Sequence, residues 1–580
     1  MLSGDFHFLR GADWGSFTAA AAAAGEPQLY QPAPFTAKGE EVAGRFDFGV
    51  IGRLRSGAGV AGAKAELDRL TAGLLATDPS AGIQVVTALT PLRDQFIGAM
   101  GARLWLLLAA VLVVLLLVAL NLANLMLVRA QTRAPEAALR QALGASRSQV
   151  ARGWLVEAGL LAAAGGGLGM LLAVAGLRSV SAASLALTRV AALPRAQAVR
   201  LDGATVFFAA AAALLAALVC AAPVVRLLAQ VHPASGLDLA SPRLAGGGAR
   251  ARSWMVAGES ALTAVLLILT GLLLHSFLRL NQIAPGYDAG PKLIVAADLA
   301  GPPGPRGALW QALPSRLEAL PGVARAALTT ELPLQGTGVT SPVLVPGDSR
   351  PVAQQPIANY QYVSPGYFAT LGIAVRGREF TAGDLRPGAP PVAVISATTA
   401  ARVWPGGDAL GQVFRAAAEP PTTVVGIASD VRTELRRAPG PMVFEPSTQD
   451  LRRHLAWIVV RPRAGADLGA LAVWVRAAIH ELQPEAVITR SETMQDIRAA
   501  AVAPQRFQLS LAAGFGALAL LIAGLGVYGV VSYTVESHRG ELGVRLALGA
   551  SRSDVAAWTV RRGLAPVLAG LAAGVAAALL

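Results

Sequence analysis

Lysine is nearly missing from this chain: its 580 residues contain only Lys38, Lys64 and Lys292, and none of them follows a glycine. A phosphate-binding P-loop needs Gly-Lys-Ser/Thr, because backbone amides cradle the phosphates while the lysine meets their charge, so ATP hydrolysis by that route is excluded. Cysteine is scarcer still. The single Cys220 lies within an apolar run, which rules out a disulfide framework and a Cys-based metal site. The six histidines, His7, His232, His275, His454, His480 and His538, are scattered, with no His-Glu-x-x-His. Neither Gly-x-Ser-x-Gly nor a Cys-His arrangement marks a hydrolase. The expectation is a chain that is not an enzyme, holds no metal and carries no cofactor of its own. Charge is sparse as well: 15% charged against 54% hydrophobic residues, with a mean hydropathy of +0.52, is too oily for a soluble chain of this length.

What the sequence has instead is long apolar segments. Leu104 to Val128 is almost uninterrupted Leu, Val and Ala. At about 1.5 Å rise per residue, roughly 20 such residues cross a hydrocarbon core. Similar runs lie near Leu155 to Leu177, Ala204 to Leu228, Trp254 to Leu278 and Gln508 to Tyr533, and a last one opens at Gly563, giving six candidate spans. The formal charge of +13 comes almost wholly from Arg. Arg129, Arg133, Arg140, Arg147 and Arg152 crowd one inter-span loop, and Arg539, Arg545, Arg552, Arg561 and Arg562 crowd another. This basic excess reads as membrane-flanking loops rather than a nucleic-acid surface, and it places both loops in the cytoplasm. Alternation of the spans then sets 229 to 253 inside, and 179 to 203 and 281 to 507 outside, although Arg178, Arg189, Arg195 and Arg200 run against that rule.

Those two loops are copies of one another. Glu-x-x-x-Arg-x-Ala-Leu-Gly-Ala-Ser-Arg-Ser-x-Val stands at Glu136 to Val150 and again at Glu541 to Val555. The offset of 405 positions also brings Leu104 onto Leu509, Gly165 onto Gly570 and Gly169 onto Gly574. Upstream, Arg53-Leu-Arg55-Ser-Gly57 resembles Arg461-Pro-Arg463-Ala-Gly465 after a slip of three residues. An internal duplication follows. The first copy lacks a partner for Trp254 to Leu278, and the second lacks one for Ala204 to Leu228, which predicts further material at both ends.

Within each copy the residue types predict a definite shape. Glu136 and Arg140 are four apart, the spacing of a helical ion pair, and Leu139 and Leu143 share another face, so the segment reads as a short amphipathic helix. Gly144 and Ala145 stop it, and Ser146 with Gln149 reads as a capping box that opens a new helix at Arg147. Glu541, Arg545, Gly549, Ala550, Ser551 and Arg552 repeat the pattern, with Asp554 in place of the capping Gln. A rigid helix, a tight turn and a membrane helix suit the transfer of a push from a cytoplasmic partner. Gly165-x-x-x-Gly169 and Gly570-x-x-x-Gly574 are expected to be helix-packing surfaces.

At these residues the chain resembles the MacB/FtsX-type permeases of ABC transporters, and in particular duplicated permeases with two halves fused in one chain. Asn121-Leu-Ala-Asn124-Leu-Met-Leu-Val-Arg129, Pro321-Gly-Val323 and Val363-Ser-Pro-Gly-Tyr-Phe-Ala-Thr-Leu-Gly372 add to the likeness. The resemblance implies an α-helical polytopic membrane protein of the bacterial inner membrane with an extracytoplasmic α+β, MacB-like periplasmic core domain. It implies a separate cytoplasmic ABC ATPase that binds the ATP, docks on the two loops and drives the outer domain mechanically to export or extract a substrate. Membrane lipid and an extracytoplasmic adaptor are further expected partners. A non-transporting FtsX-like signalling regulator and an ion-coupled secondary transporter stand as alternatives.

On this reading, 1–100 is the C-terminal part of a first outer domain and 101–230 a first permease half with three spans. A cytoplasmic linker, 231–253, leads to the opening span 254–280 of the second half. The outer core domain is 281–507, and 508–580 holds two more spans. In the outer segment, Val392 to Ile395 and Thr423 to Ile427 read as short buried strands, and Trp310 to Leu320 and Leu468 to Leu482 as helices. Tyr360, Tyr362, Tyr367 and Phe368 are expected in its core. Inside the spans, Glu259 is expected to snorkel toward the cytoplasmic surface, His275 sits near the outer end, and Asn121 and Asn124 are placed to bond between helices.

Overall fold

A computed structural model describes residues 51–77, 87–133, 136, 139–140, 143–186, 202–229, 242–299, 303–336, 338–350, 354–386, 388–416, 420–446 and 455–579. Expectations for 1–50, for most of 179–203 and for the start of the 231–253 linker fall outside these residues. In chain order the helices are α1 (Val60–Thr77), α2 (Leu92–Thr132), α3 (Arg147–Ala186), α4 (Gly203–Ala229) and α5 (Pro242–Gln282). The strand β1 (Leu293–Asp298), helix α6 (Pro303–Glu318), strands β2 (Val323–Thr329), β3 (Val339–Pro342) and β4 (Ile357–Val363), helix α7 (Tyr367–Leu371) and strand β5 (Val375–Gly377) follow. Next come β6 (Val392–Ser396), α8 (Ala397–Val403), β7 (Val413–Phe414), β8 (Thr422–Ala428), β9 (Met442–Pro446), β10 (Leu455–Pro462), α9 (Leu468–Leu482) and β11 (Val487–Thr493). The described chain ends with α10 (Met494–Ser537), α11 (Arg539–Ala547) and α12 (Arg552–Leu579).

Two compact units result, one of Met1–Gly98 with Leu280–Val502 and one of Ala99–Arg279 with Ala503–Leu580. The first is built on a mixed sheet in the order β11-β1-β10-β2-β4-β9-β6-β8-β5, with β3 beside β4 and β7 beside β8. Its centre is antiparallel, with Val295 opposite Ile458 and Ala327 opposite Val459. The β4–β9 and β6–β8 pairs are parallel. Side chains alternate across a strand, so a strand apolar at every position must be covered on both faces. Leu293, Val295, Ala297, Ala456, Ile458 and Val460 lie under α6 and α9. Ile294, Ala296, Trp457 and Val459 face the other way, onto Tyr367 and Phe368 and onto Met494 and Ile497.

Local chemistry sets the element ends. Asp467 caps α9 by accepting from the Gly469 and Ala470 amides, so the helix begins at Leu468. Helix α6 opens at Pro303, because proline is well placed in a first helical turn. Gly57 and Gly465 both adopt positive φ, 88° and 80°, and each follows an Arg whose carbonyl accepts from the residue after the glycine, Ala58 and Ala466 respectively. The turn before α1 therefore reproduces the turn before α9.

Backbone crowding combines with a left-handed backbone at Gly286, where φ is 89° and an added Cβ would lie 2.1 Å from the Asp430 carbonyl oxygen. A side chain there meets both an unfavourable backbone region and a backbone atom that cannot swing aside. Gly286→Ala is expected to cost about 2 kcal/mol or more, read as a lower melting temperature and faster protease clipping of the outer unit.

The second unit consists of helices. Among the described residues, six are long and apolar enough to cross a membrane: Leu104–Ala130, Ser148–Arg178, Gly203–Arg226, Arg252–Gln282, Met494–Ser532 and Arg552–Leu579. The last span starts at Arg552 rather than near Gly563, because its first turns are amphipathic rather than apolar. Val114, Leu117, Leu266, Ala519 and Ile522 form one cluster that joins α2, α5 and α10. Leu127, Trp154, Ala158, Cys220 and Val224 join α2, α3 and α4 in another, where the Cys220 thiol donates to the Ala119 carbonyl at 3.3 Å.

Candidate functional site

The duplicated loops fold alike down to individual backbone bonds. In the first, the Leu143 amide donates to the Leu139 carbonyl at 3.0 Å and the Ala145 amide to the Arg140 carbonyl at 2.9 Å. In the second, Leu548 donates to Val544 at 2.9 Å and Ala550 to Arg545 at 3.0 Å. Each pair of bonds ties off the last carbonyls of a short helix, and Gly144 and Gly549, with φ of 99° and 97°, supply the left-handed residue that this ending requires. The next helix is then started by a reciprocal cap. The Ser146 amide donates to Gln149 Oε1 at 2.9 Å and the Gln149 amide to Ser146 Oγ at 3.3 Å. Ser551 and Asp554 do the same at 3.2 and 3.1 Å, so a carboxylate replaces the amide without loss of the motif. Arg147 and Arg552 are the first residues of α3 and α12.

In the second loop Arg545 donates to Glu541 at 2.5 Å, while its guanidinium lies 4.7 Å from the ring centre of Trp558. His538 meets the same ring edge to face at 5.7 Å. Trp558 thus pins the lever helix α11 to the start of α12 by cation–π and aromatic contact. Sequence reasoning missed this residue, because 405 positions earlier stands Gly153. The first half instead uses charge: Arg129 and Arg133 lie 3.4 and 4.0 Å from Glu157. Of the first loop, 134, 135, 137, 138, 141 and 142 fall outside the described residues.

Both levers present apolar knobs outward. Leu143 and Leu548 are 81% and 82% exposed, and Leu139 and Val544, one turn earlier, are also exposed. Arg545 and Glu541 brace the second helix, whereas among the described residues of the first the expected Glu136–Arg140 pair is not formed.

The glycine pairs behave differently in the two halves. A Cβ on Gly570 would lie 2.1 Å from the Ala257 carbonyl oxygen, and one on Gly574 would lie 2.4 Å from that of Ala261, so α12 and α5 touch backbone to backbone. A Cβ on Gly165 or Gly169 would meet nothing within 4 Å, whereas one on Gly166 would lie 3.6 Å from Ala213 Cβ of α4. The expected packing surface at Gly165 and Gly169 is therefore shifted by one residue among the described residues. α5, the helix that covers the equivalent groove, packs on the second half.

Glu259 also departs from expectation. It is only 3% exposed and turns inward over Gly526 instead of toward an interface, whereas His275 is exposed. Asn121 does bond between helices, its Nδ2 donating to the Ile522 carbonyl at 3.3 Å. Tyr360, Tyr362, Tyr367 and Phe368 are all buried in the outer unit.

In the outer unit, the Arg498 side chain donates to the Asn281 carbonyl at the end of α5 at 2.7 Å, and the Met494 amide to the Lys292 carbonyl at 2.9 Å. Lys292 itself is fully buried and reaches Asp288 Oδ2 at 3.3 Å. Burial pulls its ammonium below the ordinary lysine range, while the Gly290 amide holds the Asp288 carboxyl low. The incoming and outgoing chains of this unit are thereby clamped to one another.

Duplicated helix–turn segments between helices long enough to cross a membrane, in one chain with a large sheet domain, define a polytopic membrane protein. Comparison with protein families bears this out. The FtsX-like permease C-terminal family matches twice, over residues 108–233 and 513–580, and the MacB-like periplasmic core domain family matches residues 255–478. The chain is a MacB/FtsX-type permease with two FtsX-like segments. Among curated proteins it is 29% identical over 240 residues to the macrolide export ATP-binding/permease protein MacB 1/2 of Paracoccus denitrificans, covering 39% of this chain and 34% of that one. The chain thus spans about a third of the length of that relative. Solved structures similar to it include the periplasmic region of MacB from Actinobacillus actinomycetemcomitans, at 15% identity, 36% of this chain, 94% of that one and a TM-score of 0.25. Another is the extracellular domain of the noncanonic ABC-type transporter YknZ from Gram-positive bacteria, at 12%, 34%, 98% and 0.24. A third is a domain of a permease protein from Porphyromonas gingivalis, at 16%, 36%, 96% and 0.24.

Proposed function

We propose that this chain is the membrane subunit of an ABC-type system of the bacterial inner membrane. A separate cytoplasmic ATPase docks on the levers at Glu136–Ser146 and Glu541–Ser551, and its closing moves the outer domain to export or extract a substrate. The observation that carries this reading is the pair of levers with matching backbone bonds, outward leucines and flanking arginines. ATP would be bound by the partner, since no lysine here follows a glycine. The name of the Paracoccus relative, which joins an ATP-binding and a permease part, supports such a pairing. The outer domain would meet an adaptor, and lipid would surround the spans. The test is co-purification of the ATPase with wild type and with Arg140→Glu plus Arg545→Glu. Retention is expected to drop at least about tenfold, the equivalent of losing roughly 1.4 kcal/mol of binding. Unchanged retention in the folded double variant would overturn the reading.

A further inference from the structure

Three buried oxygen acceptors lie on α2 and α5, the two helices that share an apolar cluster with α10. Asn121, Asn124 and Glu259 are 9%, 1% and 3% exposed, and Asn121 Oδ1, Asn124 Oδ1 and Glu259 Oε1 have no hydrogen-bond partner among the described residues. All three sit in helices long enough to span a membrane, where hydrocarbon offers no water to a stranded polar group. One turn of α10 gathers two of them. Asn121 bonds to the Ile522 carbonyl, and the Glu259 carboxylate fills the space above Gly526, four residues on, where a Cβ would lie 2.4 Å from Oε2. Asn124 follows Asn121 by three residues and so shares its side of α2. The 405-residue offset pairs Asn121 with Gly526 and Asn124 with Gly529. The second copy therefore gives up both amides, and the room that they would occupy admits a carboxyl from α5.

Among the described residues, none of the packed helices brings a free cation to this place. From Leu104 to Val128, α2 has no titratable residue, and α10 between Arg506 and Ser532 has only Tyr528, which is exposed. α12, packed on α5 through Gly570 and Gly574, has none after Arg562. On α5 itself His275 is exposed, and the buried Arg252, two turns before Glu259, has a partner of its own. A sodium ion would need more oxygens than these three to replace its hydration shell. A single proton is enough: a neutral carboxyl donates its O–H to an amide oxygen and satisfies donor and acceptor together.

We infer that Glu259, Asn121 and Asn124 form a proton-binding site at the seam between the two permease halves, with Glu259 carrying the proton and the amide oxygens accepting from it. Deprotonation leaves a buried carboxylate over Gly526 with no donor for Oε1, so the packing of α5 against α10 answers to proton occupancy.

The test is infrared spectroscopy of the purified full chain during a pH titration. A carbonyl band of a protonated carboxylic acid is expected to persist at about pH 7, well above the ~4.3 at which free glutamate ionises. It should disappear completely in Glu259→Gln, and Asn121→Leu or Asn124→Leu should shift its frequency. The proposal is overturned if wild type shows no such band, if the band survives in Glu259→Gln, or if melting of wild type follows sodium concentration at fixed pH and not pH itself.

Discussion

Gly570→Leu is expected to unseat the final described helix from α5 and to lower the melting temperature of the detergent-purified protein by many degrees. The reason is geometric. The contact facing Gly570 is the Ala257 carbonyl oxygen, 2.1 Å from where a Cβ would stand, and one turn on Gly574 faces the Ala261 carbonyl in the same way. A side-chain neighbour could change rotamer, but a backbone carbonyl in a helix cannot move without its whole turn. The helices must separate, and in a bilayer the lost contact is not recovered by a hydrophobic drive, because lipid tails are as apolar as leucine. Overpacking costs about 1–3 kcal/mol even where side chains can yield, so this backbone case belongs at the upper end or beyond. The matched control is Gly165→Leu, at the same position of the repeat, where a Cβ meets nothing within 4 Å. It should melt close to wild type. Equal losses in both variants would mean that the two halves pack alike and that the asymmetry argued above is false.

That asymmetry shows where the sequence speaks and where it falls silent. Signals written in consecutive residues were legible. The helical spacing of Leu468 to Leu482 matches α9, and the apolar runs Val392 to Ile395 and Thr423 to Ile427 lie within β6 and β8. The six spans follow from uninterrupted apolar length, and the levers from repeated turn chemistry. Features made by distant residues were not legible. The pairing of β1 with β10 joins Val295 to Ile458, and no local pattern names that partner. Glu259 turns inward because Gly526, far along the chain, leaves room, so reading α5 alone suggested a snorkelling residue. Trp558 was passed over because the repeat has glycine at the matching place, although its stacking on Arg545 fixes the second lever. A duplication guides the eye to what both copies share, and the functional differences lie in what they do not.

Replacing the two outward leucines, Leu143→Asp together with Leu548→Asp, is expected to abolish capture of the proposed ATPase partner while leaving the fold of this chain intact. Both side chains are more than four-fifths exposed, so their removal opens no cavity and strands no neighbour. The helix endings that hold them depend on Gly144, Gly549 and backbone bonds that the substitutions do not touch. If the leucines fill apolar pockets on the ATPase, their burial contributes about 1.5–3 kcal/mol each, which together is a hundredfold or more in affinity at about 1.4 kcal/mol per tenfold. Aspartate in the same pockets adds the cost of desolvating a charge, so the loss should exceed that of Leu143→Ala with Leu548→Ala. The competing role for an exposed amphipathic helix is to rest on the lipid surface. The two roles separate cleanly: a docking surface loses ATPase binding and stimulation with unchanged melting in detergent, where no bilayer is present, whereas a lipid anchor keeps ATPase binding in detergent and alters only the behaviour of the chain in membranes. Full ATPase capture by the aspartate pair would remove the levers from the coupling path and leave their duplication to be explained by the bilayer.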